Sequence, residues 1–356
     1  MELQSRNSNV VNVLIVDDSA FMRKVLTDIL NAESGINVVG TATDGLDALE
    51  KLEQLNPDVL TLDVEMPGMN GIDCLKEIMK TNPKPVIMLG TGTVQGAALT
   101  IKALDEGAVD FIAKPNNIFD IKNEKKKSEI IEKIMIAKSI DLGTYNNQCL
   151  KYKTNDNIKE SVKYYIAIGS STGGPKALQQ VVPLLPKNLP ASVFIVQHMP
   201  PGFTKSLAER LDNKSGMTVK EAEHKEKALV GYVYIAPGDA HMVFEKDPVH
   251  GALIINLDKS PPVGGHRPSV DVMMSSLSDT GMKNIIGVIL TGMGSDGSNG
   301  VKKLKENNKS YIIAQDEQTS VVYGMPKMAF QTGVVDKVVA LESITEEIIQ
   351  YLGVRI

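Results

Sequence analysis

The chain has 356 residues, of which 42% are hydrophobic and 23% charged, and this composition is typical of a globular protein with about two domains. A formal net charge of −5 and the absence of Trp argue against a nucleic-acid-binding protein, which would carry a basic face and stacking aromatics. Its two cysteines form neither a disulfide framework nor a zinc motif, and no apolar run has the length of a signal peptide or a membrane span. We therefore expect a cytoplasmic protein that binds no nucleic acid and does not insert into a membrane.

Short apolar strands alternate with amphipathic helices over residues 11–120. The first strand runs into Asp17 and Asp18, and Ser19 is placed to cap the helix that follows, whose apolar residues recur at helical spacing. Four further strands are predicted, with helices between them, from the stretches INVVGTA, DVLTLDVEM, PVIML and VDFIAKP. Alternation at this spacing predicts a doubly wound parallel sheet as the first domain.

The composition changes after about residue 120. The run IKNEKKKSEIIEKIMIAKSI is charged and predicts one helix, either exposed or docked on a domain. A polar stretch without a clear period follows, and we interpret residues 121–162 as a linker. Its basic run Lys125–Lys127 could contact a partner, but a solvated helix face is the favoured interpretation.

Residues 163–356 predict a second α/β domain. Apolar stretches that end in polar or glycine-rich turns predict its strands: YYIAIGSS, ASVFIVQHM, GYVYIAPGD, ALIINLD, NIIGVILTGMG and SYIIAQD. Helical stretches lie between several of them. In open α/β sheets, functional sites gather at the carboxyl ends of the strands, and the chemically suggestive residues of both domains fall there.

Three acids and a lysine follow strand ends in the first domain. Asp17 and Asp18 follow the first strand, Asp63 follows the third, and Lys114 ends the fifth. Because the carboxyl ends of parallel strands share one edge, these side chains can converge. Clustered carboxylates suit Mg²⁺, an aspartate can accept a phosphoryl group, and a lysine can pair with the phosphate. The alternative is that these acids are solvated or cap helices.

These motifs resemble a response-regulator receiver domain. The resemblance covers residues 11–115 and rests on VDDS, on DVEMPGMNG around Asp63 and on AVDFIAKP around Lys114. It implies a flavodoxin-like fold in which a histidine kinase supplies the phosphoryl group for Asp63. The residues implied to hold Mg²⁺ are Asp17, Asp18 and Asp63.

Two further positions bear on how such a domain would switch. Phe111 occupies the place of the family's aromatic switch residue. After PVIML the family places a Ser or Thr that hydrogen-bonds the phosphoryl group, whereas this chain has Gly90 followed by Thr91. A glycine has no side chain to make that contact. Either Thr91 replaces it through a shifted loop, or phosphorylation is coupled more weakly to the conformational change.

A serine in the second domain has the pattern of a nucleophile. Ser171 lies in G-x-S-x-G between Gly169 and Gly173, after an apolar strand and before the helix-like stretch PKALQQVV. This strand–turn–helix context is the one that a nucleophile elbow requires, and its glycines permit the sharp turn. A glycine-rich helix N-terminus that binds an anion is the alternative.

A serine needs a base and a residue that orients the base. Among the five histidines, His198 is favoured because it follows the predicted strand SVFIVQ, whereas His224 and His250 lie in polar stretches without an organising pattern. His241 and His266 lie in turns, where they could line a site or contact substrate. A lone histidine is more often structural than catalytic, so placement alone favours His198.

Asp296 is the candidate for the third member, because it lies in the turn TGMGSDG after the apolar strand IIGVIL. It could orient the imidazole and stabilise its protonated form, and backbone amides of the same turn could hold an oxyanion. Turn chemistry is the alternative reason for an aspartate there. The order Ser, His, Asp along the chain differs from that of the α/β-hydrolases, so we do not assign that superfamily.

Residues 164–356 resemble the catalytic domain of chemotaxis protein-glutamate methylesterase. The resemblance rests on AIGSSTGGPKAL, VQHMPPGFTKSLAERL, YIAPGDAHM, HRPSVDVMMSS, GVILTGMGSDGSNG and AQDEQTSVVYGMPKMA. It implies a Rossmann-like α/β esterase domain with a triad of Ser171, His198 and Asp296. Thr172 is implied to support the site and the Met293 amide to help hold the oxyanion.

The same resemblance implies the activity and its control. Such enzymes hydrolyse γ-glutamyl methyl esters in the cytoplasmic domains of methyl-accepting chemoreceptors and can deamidate receptor glutamines, with no cofactor for the esterase. A chemotaxis histidine kinase is the implied phosphodonor for Asp63. The unphosphorylated receiver is implied to cover the esterase site, and phosphorylation to open it, which is a two-state equilibrium biased by a local charge.

Three alternatives remain at this point. The second domain could be a catalytically idle binding module, although such a module need not keep Ser171, His198 and Asp296 together. A receiver-linked transcription factor would need a recognition helix and a basic face, which the acidic composition disfavours. A nucleotide-binding role for GSSTGGP lacks both the Lys-Ser/Thr ending of a P-loop and the full spacing of a dinucleotide fingerprint.

Overall fold

The computed structural model describes residues 10–114, 124–140 and 162–353. The chain divides into two compact units, Met1–Asn146 and Asn147–Ile356. Both consist of a parallel sheet with helices packed against it, so the expected pair of α/β domains is confirmed. In the described ranges, every helix is too short or too polar to span a membrane.

The first unit is a five-stranded parallel sheet in the order β2-β1-β3-β4-β5. Its described strands are β1 (Val11–Val16), β2 (Ile36–Ala42), β3 (Val59–Asp63), β4 (Val86–Gly90) and β5 (Asp110–Ala113). Its described helices are α1 (Ala20–Asn31), α2 (Gly45–Leu55), α3 (Gly71–Thr81), α4 (Val94–Asp105) and α5 (Glu124–Lys138). This order is the flavodoxin-like one, with the direction of the winding reversing between β1 and β3.

Polar side chains set where the helices of the first unit begin. Ser19, as predicted, caps α1 by accepting a hydrogen bond from the Met22 amide at 3.4 Å. Asp44, Asn70 and Thr93 cap α2, α3 and α4 in the same way. Each cap satisfies an amide that has no partner inside its helix, and so fixes the loop between strand end and helix. These loops carry the polar residues of the sheet edge.

The charged run after residue 120 contains a helix that packs into the first unit. Helix α5 buries Ile130, Ile134 and Ala137 in the same apolar cluster as Val13 of β1. Of the two options for this helix, the docked one is therefore observed. Lys127 lies at its polar end and pairs with Glu124 at 2.6 Å. The proposed linker bounds, 121–162, otherwise lie largely outside the described residues.

The second unit is larger and contains two sheets. Its strands are β6 (Tyr164–Ser170), β7 (Ala191–Gln197), β8 (Thr218–Glu221), β9 (Glu226–Lys227), β10 (Tyr232–Ile235), β11 (His241–Lys246), β12 (Leu253–Asp258), β13 (Ile285–Ile289), β14 (Tyr311–Gln315) and β15 (Lys337–Val339). Its helices are α6 (Gly174–Val181), α7 (Phe203–Asp212), α8 (Val270–Asp279), α9 (Ser298–Asn308), α10 (Met325–Gln331) and α11 (Ile344–Leu352). Two 3₁₀ turns, Val182–Leu184 and Leu341–Ser343, complete it.

The main sheet of the second unit has seven parallel strands in the order β15-β14-β13-β6-β7-β10-β8. From β6 the chain forms β7 and then the edge strand β8, and β10 is added between these two. The chain then returns to β13 on the other side of β6 and winds the opposite way. The switch point therefore lies at β6, where open α/β sheets place their sites. A small antiparallel sheet, β11-β12-β9, flanks it and was not predicted as a separate layer.

Candidate active site and phosphoacceptor site

The carboxyl edge of the first sheet carries a buried cluster of two acids and a lysine. Lys114 Nζ lies 2.8 Å from Asp17 Oδ2 and 2.7 Å from Asp63 Oδ2. Asp17 and Asp63 are buried, whereas Asp18 is exposed at the rim. Because β1 and β3 are neighbours, the residues at their ends meet at the reversal of the winding. The structure thus brings together all four residues that the sequence singles out.

The two charged partners shift each other's titration. Burial raises the pKa of Asp63 to about 6 against the opposing ion pair with Lys114, and repulsion from Asp17 adds to the rise. Burial disfavours the charge of Lys114, but its hydrogen bonds and attraction to the two aspartates outweigh this and raise its pKa. The protonation of Asp63 is therefore sensitive to pH just below neutrality.

The aspartates fit the donor set of a hard divalent cation. One oxygen from each of Asp17, Asp18 and Asp63 lies within 4.8 Å of the others, and Mg²⁺ prefers such oxygen ligands. The Ser19 amide donates to Asp17 Oδ1 at 2.9 Å and orients that carboxylate. A Cβ at Gly71 would lie 1.9 Å from the Asp63 carbonyl oxygen, so glycine lets α3 start against the end of β3. The ion itself stays a prediction.

Phe111, the predicted switch aromatic, is held by a lysine of α5. Lys133 Nζ donates to the Phe111 carbonyl at 2.6 Å and lies 5.1 Å from the centre of its ring. The same ammonium is 3.6 Å from Asp110 and 3.4 Å from Glu129. Burial opposes its charge, but attraction to both acids raises the pKa of Lys133. This lysine ties α5 to the strand that ends in Lys114.

Thr91 lies where the chain leaves β4. Its hydroxyl is 3.0 Å from the Thr93 hydroxyl, and Thr93 in turn accepts from the Gly96 amide at 3.0 Å to cap α4. A Cβ at Gly96 would approach the Thr91 hydroxyl to 2.0 Å, so the small residue leaves room for this arrangement. Thr91 is thus engaged with the start of α4, and its role toward a phosphoryl group stays a prediction.

In the second unit, three neighbouring strands deliver the three predicted catalytic side chains to one edge. Ser171 follows the central β6, His198 follows β7, and Asp296 lies in the loop after β13. Backbone hydrogen bonds hold these exits together, because Ser171 N donates to Thr291 O at 3.0 Å and His198 N donates to Ser170 O at 3.2 Å. The site therefore follows from the winding of the sheet.

His198 and Asp296 form a buried hydrogen-bonded pair. Their closest atoms, His198 Nε2 and Asp296 Oδ2, are 2.8 Å apart, and both side chains are 8% exposed. An ionised carboxylate can only accept, so Nε2 carries the proton and Nδ1 is the basic nitrogen. In the described part of the chain, His198 Nδ1 is buried and has no hydrogen-bond partner. Such a nitrogen is free to receive a proton from a nucleophile.

Asp296 accepts three further hydrogen bonds from the start of α8. The Ser269 hydroxyl donates at 2.9 Å, the Val270 amide at 2.7 Å and the Asp271 amide at 2.8 Å. Burial would raise the pKa of Asp296, but the bond and the attraction to His198, together with these amides, lower it. The carboxylate therefore stays ionised and fixed, as an orienting residue requires.

Gln197 joins the loops that carry the serine and the histidine. Its Nε2 donates to the carbonyl oxygens of Ser171 at 2.9 Å and of His198 at 3.2 Å. Its Oε1 accepts from the Ser170 hydroxyl at 2.7 Å. A Cβ at Gly174 would lie 2.0 Å from Oε1, so the first residue of α6 must be small. One buried side-chain amide thereby sets the spacing of Ser171 and His198.

The glycine-rich loop after β13 packs against the elbow. A Cβ at Gly292 would lie 2.8 Å from Ser171 Cβ, and the Thr291 hydroxyl donates to the Thr172 carbonyl at 3.0 Å. Among the hydrogen bonds of the described residues, the Met293 amide donates none. It is therefore available as an oxyanion donor. Thr172 is buried beside the nucleophile, at 6% exposure, and its supporting role stays a prediction.

The other histidines divide into one neighbour of the site and three structural residues. The rings of His266 and His198 stack with centres 3.8 Å apart and planes within 4°. His241 is buried and accepts from the Ser269 amide at 3.2 Å, while His224 accepts from the Leu257 amide at 3.1 Å. His250 is exposed and pairs with an acid three residues earlier.

Sequence reasoning missed Gln197, Ser269 and Asp271. Gln197 immediately precedes the histidine, and its only signal was a polar residue at the end of an apolar strand. Ser269 and Asp271 form a helix-start pattern, and their function depends on the distant residue that they contact. Local patterns cannot reveal such contacts.

Comparison with known proteins places this geometry in a family. The model described as "CheB methylesterase" matches residues 166–348, and the one described as "Response regulator receiver domain" matches residues 13–125. A protein-glutamate methylesterase/protein-glutamine glutaminase of Geobacillus kaustophilus is 46% identical over 347 residues, covering 96% of this chain and 99% of that protein. The chain belongs to the CheB methylesterase family.

Two further relatives agree with that membership of the CheB methylesterase family. A protein of the same name from Pyrococcus abyssi is 46% identical over 345 residues, covering 96% of this chain and 93% of that protein. The crystal structure of the Thermotoga maritima CheB methylesterase catalytic domain is 46% identical, with a TM-score of 0.51, and covers 53% of this chain and 98% of that one. The resemblance to both domains is therefore confirmed, and the transcription-factor and nucleotide-binding alternatives lose their basis.

Proposed function

We propose that the chain is a serine esterase that hydrolyses γ-glutamyl methyl esters of methyl-accepting chemoreceptors and deamidates receptor glutamines. The observation that carries this proposal is the buried His198–Asp296 pair, whose second ring nitrogen has no partner in the described part of the chain. Ser171 leaves the neighbouring strand at the same sheet edge. Curated relatives at 46% identity are named for both activities, which supports the choice of substrate.

The proposed reaction has two halves. Ser171 Oγ attacks the ester carbonyl while His198 Nδ1 takes the hydroxyl proton, and Asp296 stabilises the resulting imidazolium. His198 returns that proton to the departing methoxide, so methanol leaves and an acyl-enzyme remains. Water then attacks the acyl-enzyme, losing its proton to His198, and the glutamate carboxylate is released as Ser171 recovers its proton. For a glutamine substrate the leaving group is ammonia.

Stabilisation of the oxyanion is assigned to the loop after β13. The Met293 amide lies in the glycine-rich turn that packs against the elbow, and it makes no other donation among the described residues. Thr172 supports the site from the residue after the nucleophile. These steps draw on side chains and backbone amides alone, so no cofactor is proposed for the esterase.

Phosphorylation of Asp63 is proposed to control the esterase. A chemotaxis histidine kinase is the proposed donor, with Asp17, Asp18 and Asp63 holding Mg²⁺, which would neutralise and orient the transferring phosphoryl group. Lys114 would pair with the phosphate and Phe111 would respond to it. The buried acid–lysine cluster supports this assignment. Since the proposed substrate is the cytoplasmic part of the receptors, we also propose a cytoplasmic location.

The test is methanol release from methylated receptor membranes. Wild type and Ser171→Ala are each assayed with and without a small phosphodonor and Mg²⁺. We expect release by wild type, a rise with the donor, and loss of about 10⁴-fold or more in Ser171→Ala, since the residues of a triad act as a unit. Ser276→Ala is the matched control, because its hydroxyl donates to the Met273 carbonyl of the same helix at 3.0 Å and contacts neither Ser171 nor Gln197.

The outcomes separate the possible assignments. Release that needs Ser171 but ignores the donor would keep the esterase and refute control by Asp63, with Gly90 as the suspected weak link. Absence of release by wild type under every condition would instead favour the idle binding module.

A further inference from the structure

The N-termini of helices α8 and α9 cap each other, because an aspartate at the start of each accepts hydrogen bonds from backbone amides of the other. Asp296 precedes α9, yet it accepts hydrogen bonds from the Val270 and Asp271 amides at the start of α8. Asp271 belongs to α8, yet its Oδ1 accepts from the Gly297 amide at 2.9 Å and the Gly300 amide at 2.7 Å at the start of α9. Each helix therefore receives its N-terminal anion from the other segment.

Helix α9 depends on this reciprocal capping, because its own N-cap residue cannot supply a side-chain acceptor. Its N-cap residue is Gly297, which has a φ of +100° and no side chain that could accept from the first amides. Asp271 takes that role from outside, and its Oδ2 accepts from the Asn299 side chain at 3.1 Å. Two hydrogen bonds to α8 thereby fix the peptide group between Asp296 and Gly297. The Asp296 carboxylate accepts from the Val270 amide, and the Gly297 amide donates to the Asp271 carboxylate.

We propose that Asp271 is a positioning residue of the esterase, which holds Asp296 against His198 and adds a second negative charge behind the pair. This inference rests on the proposed esterase function. Displacement of Asp296 would misplace the imidazole, and errors near 1 Å at reacting groups cost up to about 100-fold in rate.

The charge of Asp271 acts in an environment without a compensating cation. Among the described residues, the ion pair recorded for these two acids is the one between Asp296 and His198. In the described ranges, the titratable groups that contact His198 are Asp296 and the stacked His266, and Asp271 lies behind Asp296. Two carboxylates favour the imidazolium form, which the mechanism requires in both transition states.

The test compares Asp271→Asn and Asp271→Ala in the full chain. Asparagine keeps an oxygen that can accept from the α9 amides, but it removes the charge, whereas alanine removes both. We expect Asp271→Ala to lower kcat/KM by about 10- to 100-fold. In Asp271→Asn most of the activity remains, because the amide oxygen can still accept from the Gly297 and Gly300 amides.

The matched control is Asp279→Asn at the other end of α8, where the acid is exposed and pairs with Lys303 at 2.7 Å. We expect it to leave the rate unchanged. Activity that falls in both Asp271 variants only as far as the folded fraction falls would reduce Asp271 to a structural cap and overturn the inference.

A second readout separates this inference from the proposed function. The NMR signal of the His198 Nε2 proton that lies in the hydrogen bond to Asp296 is recorded in wild type, Asp271→Asn and Asp271→Ala, and it is assigned through a His198→Gln variant. A shift or loss of this signal in Asp271→Ala that Asp271→Asn largely restores supports the positioning role even where no methanol is released. A signal unchanged in Asp271→Ala refutes it even where the wild-type esterase is fully active.

Discussion

Asp63 is buried between the carboxylate of Asp17 and the ammonium of Lys114, and this environment makes its protonation sensitive to pH near neutrality. Burial raises its pKa to about 6 although Lys114 is only 2.7 Å away. Below that pH the carboxyl group is mainly protonated, and a protonated oxygen is a poor ligand for a cation and a poor nucleophile. The capacity to bind a metal ion should therefore be lost on acidification.

We predict that Mg²⁺ binding by the full chain weakens as the pH falls through about 6. Since the ion must displace the proton of Asp63, the apparent Kd should rise by about tenfold between pH 7 and pH 5 and be nearly constant above pH 7. The measurement is the rise in thermal midpoint with Mg²⁺ at a series of pH values.

Two variants test this prediction. Asp63→Asn should weaken the binding and remove its pH dependence, whereas Asp28→Asn changes an exposed acid of α1 that pairs with Lys24 and should behave like wild type. Binding of equal strength at pH 5 and pH 7.5 in the wild type would contradict the expected role of Asp63.

At the scale of elements, the alternating apolar strands and helices predicted the described parallel strands of the first unit and the strand ends that carry both sites. The strand order could not be read from the chain, because it depends on pairings between distant segments, such as that of Ile285 in β13 with Tyr165 in β6. Strands β8, β9, β11 and β15 were missed, since they are short and partly exposed and lack a continuous apolar run.

The predicted catalytic residues were chosen from their places after strands, and the structure pairs His198 with Asp296 and places Ser171 at the end of the neighbouring strand. The residues that hold them were not foreseen, because their signal is a contact and not a pattern. Gln197 bridges two loops, and Asp271 caps a helix that begins 27 residues later. The stacking of His266 on His198 likewise joins segments that no local period relates.

The start of α6 yields a prediction about packing. In Gly174→Ala the new Cβ would lie 2.0 Å from Gln197 Oε1 and 2.9 Å from Ser170 Cβ. Gln197 is 2% exposed and cannot swing away, so the variant should lose about 1–3 kcal/mol of unfolding free energy in the second unit. Methanol release should fall as well, because Gln197 sets the spacing of Ser171 and His198. Urea unfolding and the esterase assay measure the two effects.

Gly216→Ala is the control for that substitution. Its Cβ would lie 3.4 Å from Lys187 Cβ, which is an ordinary contact, so we expect a change within about 0.5 kcal/mol and unaltered activity. If Gly174→Ala were as stable and as active as this control, the fixed position of Gln197 would be wrong.

At the scale of the whole molecule, two units with separate cores carry the phosphoacceptor and the esterase. A chemical event at Asp63 can influence Ser171 only by shifting an equilibrium between states of the chain that differ in esterase activity. The receiver therefore needs a two-state element near its acid cluster, and Phe111 with its lysine from α5 is the candidate that the structure offers.

We predict that Asp63→Asn retains basal methanol release but gains nothing from a small phosphodonor, because an amide cannot form the acyl phosphate. Wild type should be stimulated in the same assay. Asp28→Asn again serves as the matched control and should respond like wild type. Equal stimulation of wild type and Asp63→Asn would show that another residue, or no residue, accepts the phosphoryl group.

The reciprocal capping of α8 and α9 has a consequence for how this part of the protein unfolds locally. The amides of Val270 and Asp271 are bonded to Asp296, and those of Gly297 and Gly300 are bonded to Asp271. Fraying of either helix start therefore removes the acceptors of the other. Helix ends usually exchange their amide hydrogens independently and early, but these two should exchange together and slowly, as one cooperative unit.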